Sequence, residues 1–235
     1  MKYYGKIQAV EDLSIRVEKG QVVALIGPNG AGKTSSLRAV GGFLGREPGS
    51  VTAGDILFEG RSIRAKQPFQ IAGLGIALVP ERDKVFLELT PLEHFQLCRS
   101  GPGRSRFKED MDRVLALFPD LKPHLNRPAG YFSGGQRQML AFASALFSRP
   151  RLLLVDEFSQ GLAPILVQSL RSSVEAMNSA GMTILLVEQN TSLALAMAHR
   201  LYVLDGGRVV AQGSAEELRA AGDLTSAYLG TRTAS

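Results

Sequence analysis

The chain has 235 residues, 45% of them hydrophobic, which is enough for one α/β domain with a well-filled core. A lone cysteine, Cys98, excludes an internal disulfide, and without a secretory signal or an apolar run of roughly 18 residues we expect a soluble chain. The formal net charge of +5 suits an anionic ligand and is only weak evidence for nucleic acid, so we expect no nucleic-acid partner.

Four short apolar runs predict buried parallel strands, because each has the length of a strand and is apolar on both faces. These runs are QVVALIG (21–27), GIALVP (75–80), RLLLVDE (151–157) and TILLVEQ (183–189). One helical pattern follows the first run, a second precedes the third run, and a third comes after the third run. The alternation predicts an α/β fold with a mostly parallel sheet.

Two other kinds of segment interrupt this alternation. The stretches GDILFEGRSI (54–63) and RLYVLDGGRVVAQG (200–213) have the pattern of antiparallel hairpins, which predicts an antiparallel β subdomain. The segment from Pro91 to about Arg127 is helical throughout, and we interpret residues 90–130 as an inserted helical subdomain. We therefore expect one domain over residues 1–235.

The first predicted strand runs into GPNGAGKT (27–34), which fits the P-loop pattern G-x-x-x-x-G-K-[ST] and opens a helix. Glycines in such a turn let backbone N–H groups wrap a polyphosphate at the positive end of the helix dipole. Lys33 would supply charge to the β- and γ-phosphates, and the Thr34 hydroxyl is the expected Mg²⁺ ligand. The predicted nucleotide contacts are Gly27, Pro28, Asn29, Gly30, Ala31, Gly32, Lys33, Thr34 and Ser35.

The third predicted strand ends in an acidic pair, which lies at the edge of the sheet where the phosphates are expected. Asp156 would hold Mg²⁺, directly or through water. Glu157 would polarise the attacking water as the general base. The P-loop disfavours the alternative that the pair only caps the next segment.

A second glycine-rich turn opens a long helix at YFSGGQRQ (131–138) and forms another phosphate-binding helix N-terminus. One nucleotide cannot easily contact both of these helix N-termini when they belong to the same subunit. At this point the chain resembles the ATP-binding cassette (ABC) ATPases, whose signature motif is SGGQ. The matching residues, implied to contact nucleotide, are Ser133, Gly134, Gly135 and Gln136, and Phe132 stands where the family more often has leucine.

The resemblance covers nearly the whole chain and implies roles for further residues. Tyr4 matches the aromatic residue that stacks on adenine, and SQGLAP (159–164) is similar to the D-loop, with Ala163 where many members have aspartate. Glu81 occupies the position of the Q-loop glutamine, where it would ligate Mg²⁺. Gln189 stands at the switch histidine and, as a neutral amide, would donate a hydrogen bond to the γ-phosphate.

With these departures the chain is similar to one ABC subgroup, the smaller of the two ATPases in bacterial branched-chain amino acid importers. The resemblance implies an ATPase on the cytoplasmic face of the bacterial inner membrane that uses ATP and Mg²⁺. A second cassette, identical or different, would pair with it, so that each nucleotide lies between the P-loop of one subunit and Ser133 of the other. Membrane permease subunits would be direct partners, and a periplasmic binding protein an indirect one.

Three other interpretations stay open. The importer could carry urea, amides or another small solute. A second alternative is a soluble ABC clamp that acts on nucleic acid or ribosomes, but we find neither a second cassette nor a long basic insertion. The third is a degenerate protein that binds ATP without hydrolysing it, which intact Lys33, Asp156 and Glu157 disfavour.

Overall fold

The computed structural model describes residues 3–4, 7–46, 49–81, 84–98 and 107–220. The strands are β1 (Tyr3–Tyr4), β2 (Ile7–Gln8), β3 (Val22–Ile26), β4 (Leu57–Phe58), β5 (Arg61–Ser62), β6 (Ile76–Val79), β7 (Leu152–Asp156), β8 (Thr183–Glu188), β9 (Arg200–Asp205) and β10 (Arg208–Ser214). The α-helices are α1 (Lys33–Val40), α2 (Pro68–Gly73), α3 (Pro91–Leu97), α4 (Phe107–Leu117), α5 (Gly134–Phe147), α6 (Pro164–Ser179), α7 (Thr191–Met197) and α8 (Ala215–Ala220). Short 3₁₀ turns span Phe43–Arg46, Pro119–His124 and Ala129–Tyr131.

A six-stranded sheet in the order β10-β9-β3-β8-β7-β6 forms the centre of the fold. Strands β9, β3, β8, β7 and β6 run parallel to one another, and β10 is antiparallel to β9. Every residue of β3, β7 and β8 is buried. Both faces of these strands are covered, which is why their sequences are apolar without alternation. The predicted parallel strands are confirmed.

The antiparallel hairpins also form where the sequence places them. Strand β4 pairs with β5 as a small separate sheet, and β9 pairs with β10. The turn between β9 and β10 has Gly206 at φ 52° and Gly207 at φ 81°, the left-handed conformations that a tight two-residue hairpin turn requires. The β9–β10 hairpin extends the central sheet, because β9 pairs with β3, so these two strands do not belong to a separate β subdomain.

Helix α5 connects the inserted helical segment to the sheet. It packs against α3 and α4 on one side and against β6 on the other. The rings of Phe95 and Phe147 stack with their centroids 4.9 Å apart, and Phe142 lies edge-on to Phe158 at 5.9 Å. Buried aromatic side chains therefore pack the second half of α5 against α3 and against the segment that follows β7.

In the part of the chain that the structure describes, no helix combines the length and hydropathy that crossing a membrane would require.

Candidate nucleotide site

The predicted site residues follow four neighbouring parallel strands at the same edge of the sheet. The P-loop follows β3, and Gln189 follows β8. Asp156 is the last residue of β7 with Glu157 directly after it, and Glu81 comes two residues after β6. In the sheet these strands lie in the order β3-β8-β7-β6. Ligands of open α/β sheets bind outside the carboxyl ends of the strands, so the topology brings these residues to one site.

The P-loop makes two close backbone approaches that only glycine allows. Gly27 has φ 148°, and a Cβ atom there would lie 2.1 Å from the carbonyl oxygen of Leu204. Gly32, at φ 98°, would place a Cβ atom 2.5 Å from the carbonyl oxygen of Ala9. Gly32 is also the N-cap of α1, which has no capping side chain and no acidic residue in its first turn. The first-turn N–H groups of α1 are therefore available to an anion.

Lys33 lies at the centre of the site, where almost all of its side chain is buried. Its ammonium group donates to the carbonyl oxygens of Gly27 at 2.8 Å and Pro28 at 3.1 Å. The same Nζ atom lies 3.4 Å from Oε1 of Glu157, whose side chain is also buried. One buried cation is thus held between the turn predicted to bind phosphate and the carboxylate predicted to be the base.

Thr34 and Asp156 provide oxygen atoms side by side. The Thr34 hydroxyl donates to Oδ1 of Asp156 at 2.9 Å. Burial raises the pKa of Asp156, the Thr34 hydrogen bond opposes that rise, and the nearby carboxylates of Glu157 and Glu81 add to it. Repulsion among these carboxylates makes a cation favourable here.

The oxygen donors of this site fit Mg²⁺, a hard cation that takes carboxylate and hydroxyl ligands and binds largely through substrate phosphates. Thr34, Asp156 and Glu81 are the residues that would hold it. Among the described residues, no cluster of three or more His, Cys, Asp or Glu side chains could hold a metal ion by itself.

The backbone of Glu157 is in the left-handed region, at φ 42°. This conformation costs a non-glycine residue about 1 to 2 kcal/mol. Its N–H group donates to the carbonyl oxygen of Val187 at 2.9 Å, which continues the ladder between β7 and β8 one residue beyond β7. The sheet thus holds Glu157 in a strained position at the strand end.

Gln189 is exposed at the end of β8, and the histidines have other roles. His94 accepts the backbone N–H of Phe86 at 2.9 Å, and His199 accepts that of Val22 at 3.0 Å. His124 packs edge-on against Phe132 at 5.8 Å. His94, His124 and His199 are therefore engaged in local structural contacts.

The signature segment begins α5 as predicted, but its side chains are already engaged. The Ser133 hydroxyl accepts from the backbone N–H of Gln136 at 3.2 Å, and the Gln136 side chain accepts from the backbone N–H of Ser133 at 3.0 Å. This capping box uses Gln136 within its own helix. Ser133 and Gly134 are exposed, whereas Gly135 is buried and a Cβ atom there would lie 2.4 Å from Leu166.

Two buried polar contacts beside the site were missed by the sequence interpretation. Glu188, at 1% exposure, accepts hydrogen bonds from Ser159 in the loop after β7. Lys84 donates to the fully buried side chain of Gln138 on α5, and burial lowers the pKa of Lys84. Charged residues inside or beside apolar runs were the available signal, but their partners are distant in the sequence.

The predicted adenine contact lies only partly within the described structure. The backbone of Tyr4 forms β1, which pairs with β2. Its side chain lies outside the described residues, and stacking on adenine stays a prediction.

The parallel sheet, the P-loop and the acidic strand end define an ATPase of the P-loop class. Residues 10–160 match the ABC transporter family. The chain is 42% identical to BraG, a high-affinity branched-chain amino acid transport ATP-binding protein of Pseudomonas aeruginosa, over 97% of this chain and 96% of that protein. The chain therefore belongs to the ABC transporter family, as an ATPase subunit.

Two further comparisons agree with this assignment. The chain is 33% identical to a probable branched-chain amino acid transport ATP-binding protein, LivF, of Archaeoglobus fulgidus, over 92% of this chain and 89% of that protein. Its fold matches a nucleotide-free ATP-binding cassette from an ABC transporter with a TM-score of 0.81 and 27% identity, covering 94% of this chain and 91% of the other. The predicted fold class and family resemblance are confirmed.

Proposed function

We propose that this ATPase powers a bacterial importer of branched-chain amino acids, using ATP and Mg²⁺. The observation that carries the chemistry is the contact between Lys33 and Glu157 beside the Thr34–Asp156 pair, at the carboxyl edge of the sheet. The amino acid substrate is inferred from relatives such as BraG, which is 42% identical over nearly the whole chain. Urea, amides and other small solutes are the competing substrates.

Hydrolysis needs a positioned phosphate, a base and charge stabilisation, and this chain offers a group for each. The uncapped N-terminus of α1 and Lys33 would bind and orient the phosphates. When bound, Mg²⁺ would neutralise charge on the phosphate oxygens. Glu157 would take a proton from the attacking water, and Gln189 would donate to the γ-phosphate.

The position of Ser133 favours a site shared between two subunits. Helix α5 packs on β6, three strands away from β3 in the sheet. Neighbouring strands are about 4.8 Å apart, so the strand that carries the P-loop lies ~14 Å from the strand beneath α5. The exposed Ser133 end would therefore serve a nucleotide bound to the P-loop of a second cassette, identical or different.

Exposed apolar side chains between β6 and the end of α3 support contact with membrane permease subunits. Phe86 is 66% exposed and Leu97 64% exposed, whereas Phe95 in the same segment is fully buried. Part of this segment is thus core, and part faces outward, where a partner can reach it. We place the protein at the cytoplasmic face of the inner membrane, held there by the permease, with a periplasmic binding protein delivering substrate on the other side.

Uptake measurements test the transported substrate. Cells lacking this subunit should lose uptake of radiolabelled leucine, isoleucine and valine and regain it with the wild-type chain, but not with Lys33→Ala, which removes the phosphate-binding charge. Uptake of labelled urea, assayed in parallel, tests whether urea is the transported substrate instead. Normal leucine uptake without the subunit, or restored uptake of urea alone, would contradict the proposed substrate.

Gln189 leads to a prediction about the pH dependence of hydrolysis. A histidine at this position would titrate near pH ~6.5, whereas an amide does not titrate. We expect Gln189→His to add a new limb to the kcat–pH profile between about pH 6 and 7 that wild type lacks. We expect Gln189→Ala to slow hydrolysis about ten- to two-hundred-fold at most, the worth of one hydrogen bond to a charged phosphate.

The measurement is kcat against pH at saturating Mg-ATP for wild type and both variants. Gln168→Ala, at an exposed position on α6, is the control. If Gln189→Ala is as inactive as a variant without the base, Gln189 is not an accessory donor.

A further inference from the structure

The carboxylate of Glu188 makes a contact for which the proposed mechanism gives no use. Glu188 is the last residue of β8 and is 1% exposed. Its Oε2 atom accepts from the Ser159 hydroxyl at 2.8 Å, and Oε1 accepts from the Ser159 backbone N–H at 3.2 Å. A third hydrogen bond reaches Oε2 from the backbone N–H of Asn190 at 3.4 Å. Both oxygens of one buried carboxylate are therefore used.

These hydrogen bonds join the two loops that present the proposed catalytic groups. Ser159 comes two residues after Glu157, and Glu188 directly precedes Gln189. Strands β7 and β8 are neighbours in the sheet, so both loops leave the same edge. The carboxylate of Glu188 accepts from Ser159 in the loop after β7 and from Asn190 in the loop after β8. A displacement of either loop therefore strains the hydrogen bonds by which this carboxylate joins the two loops.

The outer side of the loop between β7 and α6 borders a cavity. This cavity of about 410 Å³ lies beside Ser159, lined also by Leu162, Pro164, Asn190 and Leu193. Within the loop, the backbone hydrogen bonds from Gln160 to Glu157 and from Leu162 to Ser159 are long, at 3.5 and 3.4 Å. Phe158 packs inward and Leu162 packs against the core, and the hydrogen bonds to Glu188 add a polar anchor between them.

We propose that Glu188 is a positioning residue for ATP hydrolysis: it holds the loop 157–163 against the end of β8 and so fixes Glu157 relative to Gln189. This inference rests on the proposed hydrolytic role of Glu157. Glu188 itself is buried and acts through its hydrogen bonds to Ser159.

The test is a double-mutant cycle of Glu188→Ala and Ser159→Ala in the full-length chain, with kcat and KM for Mg-ATP as readouts. We expect Glu188→Ala to lower kcat about tenfold or more, since it releases the loop that carries Glu157 from its position at the end of β8. The KM should be unchanged because Glu188 is buried and is not one of the proposed nucleotide contacts. Ser159→Ala should have a smaller effect, because the Ser159 backbone N–H still donates to Glu188. The double variant should be no slower than Glu188→Ala alone.

Controls separate positioning from general destabilisation. Ser173→Ala removes a buried hydroxyl that donates to the carbonyl oxygen of Ser169 within α6, and it should leave kcat unchanged. Glu188→Gln keeps one acceptor oxygen and should restore part of the lost kcat. Wild-type kcat in Glu188→Ala, a fall in Tm without a fall in kcat, or single effects that multiply in the double variant would overturn the proposal.

Hydrogen exchange distinguishes this inference from the proposed function. Amides of residues 157–163 should exchange faster in Glu188→Ala than in wild type, while those of the far end of α6 keep their rates. If wild type hydrolyses no ATP, the proposed function is wrong. If the exchange of residues 157–163 is also unchanged in Glu188→Ala, Glu188 does not hold this loop either. If wild type is active and the exchange of the loop is unchanged, only the inference about Glu188 fails.

Discussion

Replacing Glu157 by glutamine should nearly abolish ATP hydrolysis while leaving ATP binding intact. A general base contributes about 10²- to 10⁴-fold to the rate, and the amide keeps the size of the side chain without its basicity. The carboxylate lies 3.4 Å from Lys33, where a phosphate is expected, so its neutralisation should not weaken ATP binding. Bound but unhydrolysed ATP should then trap the dimer of cassettes.

Three measurements check this result on purified protein: steady-state ATPase activity, equilibrium binding of ATP, and gel filtration with and without Mg-ATP. Glu175→Gln is the matched control, because it makes the same chemical change in a carboxylate that is paired with Arg171 on the surface of α6. Activity in Glu157→Gln close to that of wild type would show that another group is the base. Failure to bind ATP would instead assign Glu157 a role in binding.

Replacing Ser133 by arginine should block hydrolysis without weakening ATP binding to the P-loop of the same chain. Ser133 is exposed at the start of α5, so a long cation there would occupy the surface proposed to receive the other subunit's nucleotide. The substitution also removes the hydroxyl of the capping box, at a cost of about 1 kcal/mol. Ser133→Ala carries the same capping loss without the bulk and should retain more activity.

Mixing variants tests the shared site more sharply. In a dimer of one Ser133→Arg chain and one Lys33→Ala chain, one composite site carries both changes and the other is intact. Partial activity should therefore return on mixing, although each variant alone is inactive. Ser172→Arg, on the exposed face of α6, controls for the added charge and bulk. Full activity of a diluted monomer, or no recovery on mixing, would contradict a shared site.

The sequence by itself determined the features that depend on neighbouring residues. Parallel strands buried on both faces must be apolar throughout, so β3, β7 and β8 could be recognised as runs. The P-loop and the Ser133 cap are likewise local, since each needs particular residues within one turn of a helix. For the same reason the hairpin turn at Gly206 and Gly207 was predictable.

Only the tertiary structure decided how these parts work together. Sequence patterns do not contain the strand order, which places β8 between β3 and β7 and so lets Glu188 meet Ser159, 29 positions away. The left-handed backbone of Glu157 depends on the carbonyl oxygen of Val187 in the next strand. Buried polar groups need hydrogen-bond partners, and in this protein the order of the strands in the sheet determines which partners are within reach.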